Sequence, residues 1–267
     1  MVQVISDRKL PDYDHPPAIE TALGVRFAPI QGWNLFHFGR LQGEFNKEYP
    51  KHELHPPLDA VTIQIAPNQP AGMSHIPIRA WFINADDTQL IQVQNNCFIR
   101  NWRKTQETPD YLHYDVIKPL FQRDWAKFRR FLVEQNLPKP SIWQCEVSYI
   151  NHFVRGQDWN DFSDLKSLCP AWQGQPAEGL FSKPQMVAFT TSYLLPDEQG
   201  TLLFVLQPGI RQTDGVEIIQ LSITASGKPK GSDEQDVLAW FDLGRDAVVT
   251  GFSQFTDKDA QKRWGRR

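Results

Sequence analysis

Cysteine is scarce in this sequence, and its spacing excludes the usual structural roles. The chain of 267 residues has only Cys97, Cys145 and Cys169, which lie far apart and form no C-x-x-C pair. An odd number of scattered cysteines favours neither a disulfide framework nor a zinc knuckle. Reduced thiols are typical of the cytoplasm, so we predict a cytoplasmic protein.

Long apolar runs are also missing. The first residues, MVQVISDRKLPDYD, are polar and acidic and lack the apolar core of a signal peptide. Elsewhere the apolar runs have the length of a β-strand and fall short of the roughly 20 residues that a membrane-spanning helix needs. We therefore expect a soluble protein with no secretion leader and no membrane partner.

Neither sign of charge is in large excess. Lysine and arginine number 28 and aspartate and glutamate 31, which gives a formal net charge of −3. A chain with this balance has no general basic field that attracts nucleic acid. Nucleic-acid binding would need a local basic patch.

The sequence has no recognisable cofactor or metal motif. It contains no GxGxxG, no GxxxxGK[ST], no GxSxG and no carboxylate-rich metal box. KHELHPP (51–57) places His52 and His55 three residues apart, whereas a helical zinc site needs a spacing of four, and two prolines follow. We predict that 51–57 is a loop, and we expect no metal and no cofactor.

Aromatic residues are plentiful, with nine Trp and 17 Phe, and apolar residues make up 40% of the chain. That is enough to build a sizeable core. Alternating or helically spaced apolar residues predict strands at 22–30, 61–67, 78–86, 89–102, 141–154, 185–196, 201–210 and 217–227, and helices at 34–50, 114–135, 161–169 and 233–255. The last helix is preceded by a capping-box pattern of Ser232 and Gln235.

The predicted elements have the same order in the two halves of the chain, 1–140 and 141–267. Each half comprises a strand, a helix, three strands and a long helix with an aromatic stripe. A sheet with one apolar face must be covered, and such a helix can cover it. We predict an α+β fold in which two β-α-β-β-β-α halves form one curved antiparallel sheet with the long helices on one face. TATA-binding-protein-like and helix-grip folds have this layout, and the matching order indicates an internal duplication within one closely packed unit.

Five stretches together resemble an uncharacterised, sporadically distributed prokaryotic protein family of about this length. They are HPPAIETALGVRF (15–27), LIQVQNNCFIRNWRK (90–104) followed by Tyr111 and Tyr114, EVSYINHF (146–153), LAWFDLGRDAVVTGF (238–252) and FTDKDAQKRWGRR (255–267). The resemblance covers nearly the whole chain. It implies a bacterial, cytoplasmic protein and supplies no catalytic residues.

Cations and an aromatic residue gather at the end of one predicted strand, in QNNCFIRNWRK (94–104). The candidate nucleic-acid patch consists of Arg100, Trp102, Arg103 and Lys104, joined by Arg123, Lys127 and Arg130 of the following helix. The cations would contact phosphates while the indole stacks on a base. The alternative is an ordinary strand with Phe98 and Ile99 on opposite faces, whose cations extend into water.

The strand SYINHF (148–153) offers a candidate ligand-binding group: Tyr149, Asn151 and His152. Alternation places Tyr149 and Asn151 on one face and His152 on the other. A polar Asn between aromatic residues could line a pocket, or it could bond to a neighbouring turn. His152 could act as a general base, but no carboxylate partner for it is identifiable in the sequence.

The ending RWGRR (263–267) is either a solvated tail or a docking peptide for a partner protein, with Trp264 and Arg266 as its anchors.

These patterns lead to three functional hypotheses. The first is a non-enzymatic binding or accessory protein whose concave, aromatic-lined surface receives a ligand or a protein partner. The second is nucleic-acid binding through the basic patch. The third is an enzyme centred on Asn151 and His152, with no catalytic set assigned.

Overall fold

The computed structural model describes residues 10–59, 78–105, 111–173 and 184–267. Within these ranges the chain forms nine strands and four α-helices, in the order β1 (Ala18–Phe27), α1 (Leu35–Phe45), β2 (Lys51–His55), β3 (Arg79–Ile83), β4 (Gln89–Gln94), β5 (Cys97–Arg103), α2 (Tyr114–Glu134), β6 (Ile142–Val154), β7 (Phe189–Leu194), β8 (Thr201–Ile210), β9 (Glu217–Gly227), α3 (Glu234–Phe255) and α4 (Lys258–Arg263). In the same described ranges, two short 3₁₀ helices occupy Phe162–Ser167 and Pro196–Glu198. None of the helices described is long and apolar enough to cross a lipid bilayer.

The strands form one open, curved antiparallel sheet in the order β2-β3-β4-β5-β1-β6-β9-β8-β7. The predicted α+β fold with helices on one face is confirmed. The two halves of the chain meet where β1 pairs with β6, with Leu23 opposite Val147. From that seam the neighbours follow in the same sequence on both sides, and β2 is an additional edge strand in the first half. The internal duplication stays a prediction.

The apolar face of the sheet is set by the alternation of β1. Leu23, Val25 and Phe27 are buried under the helices. The stripe predicted for α2 faces them: the ring of Phe98 on β5 lies 5.8 Å from that of Phe121 and 5.2 Å from that of Phe128. The core therefore lies between the sheet and α2 in the first half, and α3 covers the second half in the same way.

Two glycines let α3 lie close to the sheet. A Cβ atom at Gly244 would be 2.9 Å from Cγ2 of Val147 on β6, and a Cβ at Gly251 would be 2.8 Å from Cδ2 of Leu202 on β8. Carbon atoms do not pack at such distances, so a larger residue at either position would push the helix away from the strands.

Several predicted elements need correction in the first half. The predicted loop at 51–57 contains the edge strand β2, whose side chains are almost all exposed, so its pattern carries no apolar alternation. The single strand predicted at 89–102 is two strands, since the chain turns at Asn95 and Asn96 and Gln94 pairs with Cys97. The first half therefore has four strands after α1 unless the strand predicted at 61–67 adds another, and that segment lies outside the described residues.

One further expectation, about the start of α3, is wrong. The predicted capping box at Ser232 is absent, because the N-cap of α3 is Asp233, whose side chain makes no capping bond. The ending RWGRR (263–267) begins at the last residue of α4, a helix capped by Asp257, whose carboxylate accepts from the backbone of Asp259 and Ala260.

Candidate functional site

A cleft opens at one end of the helical layer, where α3 continues past the N-terminus of α2. We call it the tyrosine cleft and define it by its main lining residues: Tyr13, Tyr111, Tyr114, Tyr149, Arg245 and Phe252. Its cavity volume is about 80 Å³, and part of the cleft is open to solvent.

The contact between α2 and α3 fixes one wall of the cleft. The Tyr114 hydroxyl donates to Oδ1 of Asp242 at 2.9 Å, and the Lys118 ammonium reaches the same carboxylate at 2.7 Å. Arg129 near the other end of α2 pairs with Glu234 at the start of α3. The helices therefore run antiparallel, which leaves the C-terminal half of α3 to line the cleft.

An N-terminal arm, residues 11–16, forms the opposite wall. Its backbone is held by the end of the chain: the amide of Asp14 donates to the carbonyl of Gly265 at 3.1 Å, and the amide of His15 donates to the carbonyl of Trp264 at 3.0 Å. Tyr13 stands edge-on to the ring of Phe252 at 5.4 Å. The arm is thus part of the cleft and is fixed by residues about 250 positions further along the chain.

The floor of the cleft comes from β6, where Tyr149 and Asn151 share the face that alternation predicts for them. Tyr149 is buried, and among the described residues its hydroxyl has no partner in hydrogen-bonding geometry. Burial raises the pKa of Tyr149 well above its usual value, and the neighbouring Tyr111 raises it further. Asn151 donates from Nδ2 to the carbonyl of Leu221 on β9 at 3.1 Å. The floor therefore presents a neutral phenol that lies beside Tyr111 and makes no hydrogen bond of full geometry among the described residues.

Arg245 on α3 places a cation inside the cleft. Its guanidinium lies over the ring of Tyr114, 5.4 Å from the centroid, and its Nη1 is 3.6 Å from Oδ1 of Asp246. Its Nε is buried and without a partner in the described part of the chain. Burial raises the pKa of Asp246, so the carboxylate nearest to the arginine is itself poorly solvated.

His152 does not join the cleft. It points to the opposite face of the sheet, where Nε2 lies 3.4 Å from Oε1 of Gln220 and Nδ1 has no partner among the residues described. Burial lowers the pKa of His152. The predicted group of three is therefore divided, with Tyr149 and Asn151 on one side of the sheet and His152 on the other.

The residues of the predicted basic patch are not brought together at one surface. Arg100 is fully buried beneath α2, and Trp102 is buried with its ring edge-on to Tyr111 at 5.4 Å. Arg103 is half-buried and donates from Nε to the carbonyl of Asp87 at 2.6 Å. Lys104 is exposed. Arg100 and Trp102 face the helices, so neither can contact a phosphate or a base at the surface.

The cations of α2 are paired within the chain. Arg123 donates to Asp124 at 2.8 Å, Lys127 lies 2.9 Å from Glu48, and Arg130 lies 3.6 Å from Glu134. Each positive charge has a nearby acid, which weakens any field they would project.

The two anchors predicted for partner docking contact their own chain. Trp264 is 6% exposed, with its ring stacked on Phe153 at 5.3 Å. Arg266 bridges to Tyr13 through the backbone, and its side chain contacts Gln261. The indole therefore fills the core under the arm.

A polar network covers the face of the sheet opposite the helices. Arg26 on β1 pairs with Glu146 on β6 at 3.0 Å, and its Nη atoms donate to the carbonyls of Leu58 and Asp59 at 2.8 and 2.9 Å. Both charged side chains are almost fully buried. This arginine joins the two halves of the sheet and holds the segment that follows β2.

A second chain of hydrogen bonds crosses the same face through β1, β5, β4 and β3. Glu20 accepts from Asn101, Asn101 accepts from Gln92 at 2.9 Å, and Gln92 accepts from Arg79 at 2.9 Å. Burial raises the pKa of Glu20, and the bond from Asn101 opposes that change. Because these groups bond to one another across strands, we interpret the network as structural.

The thiols are inert in this fold. Cys97, Cys145 and Cys169 are free and buried. Burial raises the pKa of Cys97 and of Cys169 to about 11 and raises that of Cys145 as well. A protonated, buried thiol is a poor nucleophile. Across the described ranges no three His, Cys, Asp or Glu side chains are grouped so as to hold a metal ion.

Sequence reasoning missed Arg245, Tyr111 and Tyr13 as site residues. They come from separate parts of the chain, and no local pattern links them to Tyr149. No protein-family model matches the chain, and a search of curated proteins found no significant similarity. The geometry of the cleft is therefore the basis for a functional assignment.

Proposed function

We propose that the protein is a non-enzymatic binding protein and that its ligand occupies the tyrosine cleft. One observation carries the proposal: the hydroxyl of Tyr149 lies at the cleft floor, buried beside Tyr111 and without a hydrogen bond of full geometry among the described residues. Leaving such a group unsatisfied costs about 1–3 kcal/mol. A ligand that supplies the missing hydrogen bond gains this amount.

The shape and composition of the cleft walls favour a small-molecule ligand over the flat surface of a protein partner. The cleft is concave and is lined by aromatic rings with a few polar groups, which is the usual composition of small-molecule sites. No observation favours the nucleic-acid alternative, since Arg100 and Trp102 are buried. The enzyme alternative also lacks support, since Asn151 and His152 lie on opposite faces.

The test is a fragment screen by ligand-observed NMR with two variants of α3. Val249→Trp places an indole in the cleft, and Ala239→Trp places the same group at an exposed position on the same helix. We expect fragments that bind wild type and Ala239→Trp but not Val249→Trp. Fragments that bind all three proteins equally, or an absence of hits on wild type, would overturn the proposal.

We further propose that the protein acts in the cytoplasm. The support is that all three cysteines are free and buried, as in proteins of reducing compartments. Fractionation of the native host with an antibody to this chain tests it, and recovery outside the cytoplasm would contradict it.

A further inference from the structure

We propose that the tyrosine cleft recognises an oxyanion, a carboxylate or a phosphate, carried on a flat aromatic body. This inference depends on the proposed function, because it specifies the ligand for the same cleft.

The N-terminus of α2 lines the cleft through His113, Tyr114 and Asp115, and it offers hydrogen-bond donors to an anion. The first backbone N–H groups of a helix have no acceptor within the helix. The N-cap residue, His113, makes no side-chain hydrogen bond to them. The end of this helix of 21 residues also carries the positive end of the helix dipole, which favours an anion.

Arg245, on the α3 side of the cleft, supplies a positive charge for an anion. Its Nε is buried without a partner in the described structure, and Asp246 is its only described ion-pair partner, at 3.6 Å. A guanidinium presents several N–H donors in a plane that matches a carboxylate or a phosphate. This cation therefore has donors to spare and a fixed orientation over the ring of Tyr114.

A third feature of the cleft is independent of charge. The hydroxyl of Tyr149 is buried beside Tyr111, makes no hydrogen bond of full geometry among the described residues and belongs to the same cleft lining as these two groups of donors. Burial keeps this phenol protonated, because its pKa is raised. A phenol in this state donates a hydrogen bond, and an oxyanion is a strong acceptor.

The acidic side chains near the cleft are placed where they weaken the binding of an anion least. Asp12 and Asp115 are exposed at the mouth, so water screens their charges. Asp246 sits beside the arginine on α3. A cationic ligand would bring its charge against Arg245 inside the cleft, which is costly in a partly dry site.

The remaining walls define the body of the ligand. Val248 and Phe252 of α3 and Ala18 of β1 are buried and apolar, and the rings of Tyr111 and Tyr149 flank them. Aromatic walls favour a flat ring, which stacks or meets them edge-on.

Isothermal titration calorimetry with four matched probes tests the inference. They are phenylacetate, phenyl phosphate, the neutral isostere phenylacetamide and the cation phenethylamine. We expect one of the two anions to bind wild type about tenfold or more tighter than phenylacetamide, the amount that a charged hydrogen bond contributes. Preference for phenylacetate would identify a carboxylate ligand, and preference for phenyl phosphate a phosphate ligand.

Variants locate the effect. Arg245→Gln should remove the preference for the anion and leave the affinity for phenylacetamide unchanged, whereas Arg245→Lys should keep part of it. Tyr149→Phe should weaken the anion as well. Arg130→Gln, an exposed arginine of α2 paired with Glu134, is the matched control and should bind all four probes as wild type does.

Three results would overturn the inference and leave the proposed function intact. The first is equal or tighter binding of phenylacetamide or phenethylamine, with loss of binding in Val249→Trp. The second is a preference for anions that survives in Arg245→Gln. If none of the four probes binds and the fragment screen gives only neutral or cationic hits that occupy the cleft, the oxyanion inference also fails. A screen without hits in the cleft removes both proposals.

Discussion

The guanidinium of Arg100 and the carboxylate of Asp124 form an ion pair inside the core: Nε lies 3.2 Å from Oδ2, and the side chains are 0% and 1% exposed. The pair joins β5 to α2. The Tyr49 hydroxyl also donates to the same oxygen at 2.5 Å. An arginine that the sequence presents as part of a nucleic-acid patch therefore has a structural role.

Removal of one partner of this pair should destabilise the fold strongly. Asp124→Ala leaves Arg100 buried without its counter-charge and Tyr49 without its acceptor. We expect the free energy of unfolding to fall by about 3–5 kcal/mol. Urea denaturation followed by circular dichroism measures this. Glu134→Gln, which breaks the exposed pair with Arg130, is the control and should change it little. Equal effects would show that burial of the pair is unimportant.

The close approach of α3 to β6 predicts the effect of a single methyl group. In Gly244→Ala the new Cβ would lie 2.9 Å from Val147 and from the ring of Trp240, so the helix must shift. We expect a loss of about 1–3 kcal/mol in stability. Gly39→Ala in α1 has nothing within 4 Å of the new methyl and should gain up to about 1 kcal/mol from helix propensity. If Gly244→Ala has the same free energy of unfolding as wild type, α3 is not packed tightly against β6 at this position.

His152 should make the stability depend on pH. Burial lowers its pKa in the folded protein, so folding disfavours the charged form. The contribution of neutral His152 to the free energy of unfolding is complete above the pKa of the unfolded chain. It is lost as the pH falls from that pKa to the lower pKa of the folded protein. Wild type should therefore lose stability between about pH 7 and pH 5, the window of histidine titration.

The variant His152→Gln should flatten this part of the pH profile. It should also leave probe binding in the tyrosine cleft unchanged, because His152 lies on the opposite face of the sheet. Thermal unfolding at several pH values, together with calorimetry, gives both readouts. A loss of cleft binding in this variant would return His152 to the site.

Trp264 should behave as a core residue. Its ring packs on Phe153 and Phe252, so Trp264→Ala should lower the free energy of unfolding by about 3–5 kcal/mol. It should also weaken probe binding, since the same segment holds the arm that walls the cleft. Trp143→Ala, at a tryptophan that is 43% exposed, is the control and should cost far less. Wild-type stability in Trp264→Ala would favour the docking role instead.

The periodicity of buried residues was a reliable guide to the fold. Alternation over 201–210 and 217–227 coincides with β8 and β9, and the stripe of aromatic residues predicts α2 almost residue for residue. The pattern fails where a strand has no buried face. β2 lies at the sheet edge with exposed charged side chains, and only backbone pairing with β3 defines it.

The site was predictable only where one strand supplies it. Alternation along β6 correctly groups Tyr149 with Asn151 and separates both from His152. The sequence gives no reason to join them to Arg245, because that contact depends on how far α3 extends past α2. Charge was misleading for Arg100, since the acid that neutralises it lies 24 residues further along the chain, on α2.

The walls of the tyrosine cleft are drawn from both halves of the chain, on either side of the seam between β1 and β6. A bound molecule would act as a clamp on that seam, because separating the halves would first require it to leave. At a concentration one hundred times its dissociation constant, such a molecule would add about 2.7 kcal/mol to the work of unfolding. The melting temperature should therefore climb with dose, and a metabolite library surveyed by thermal shift could recover the natural occupant without any assay of activity.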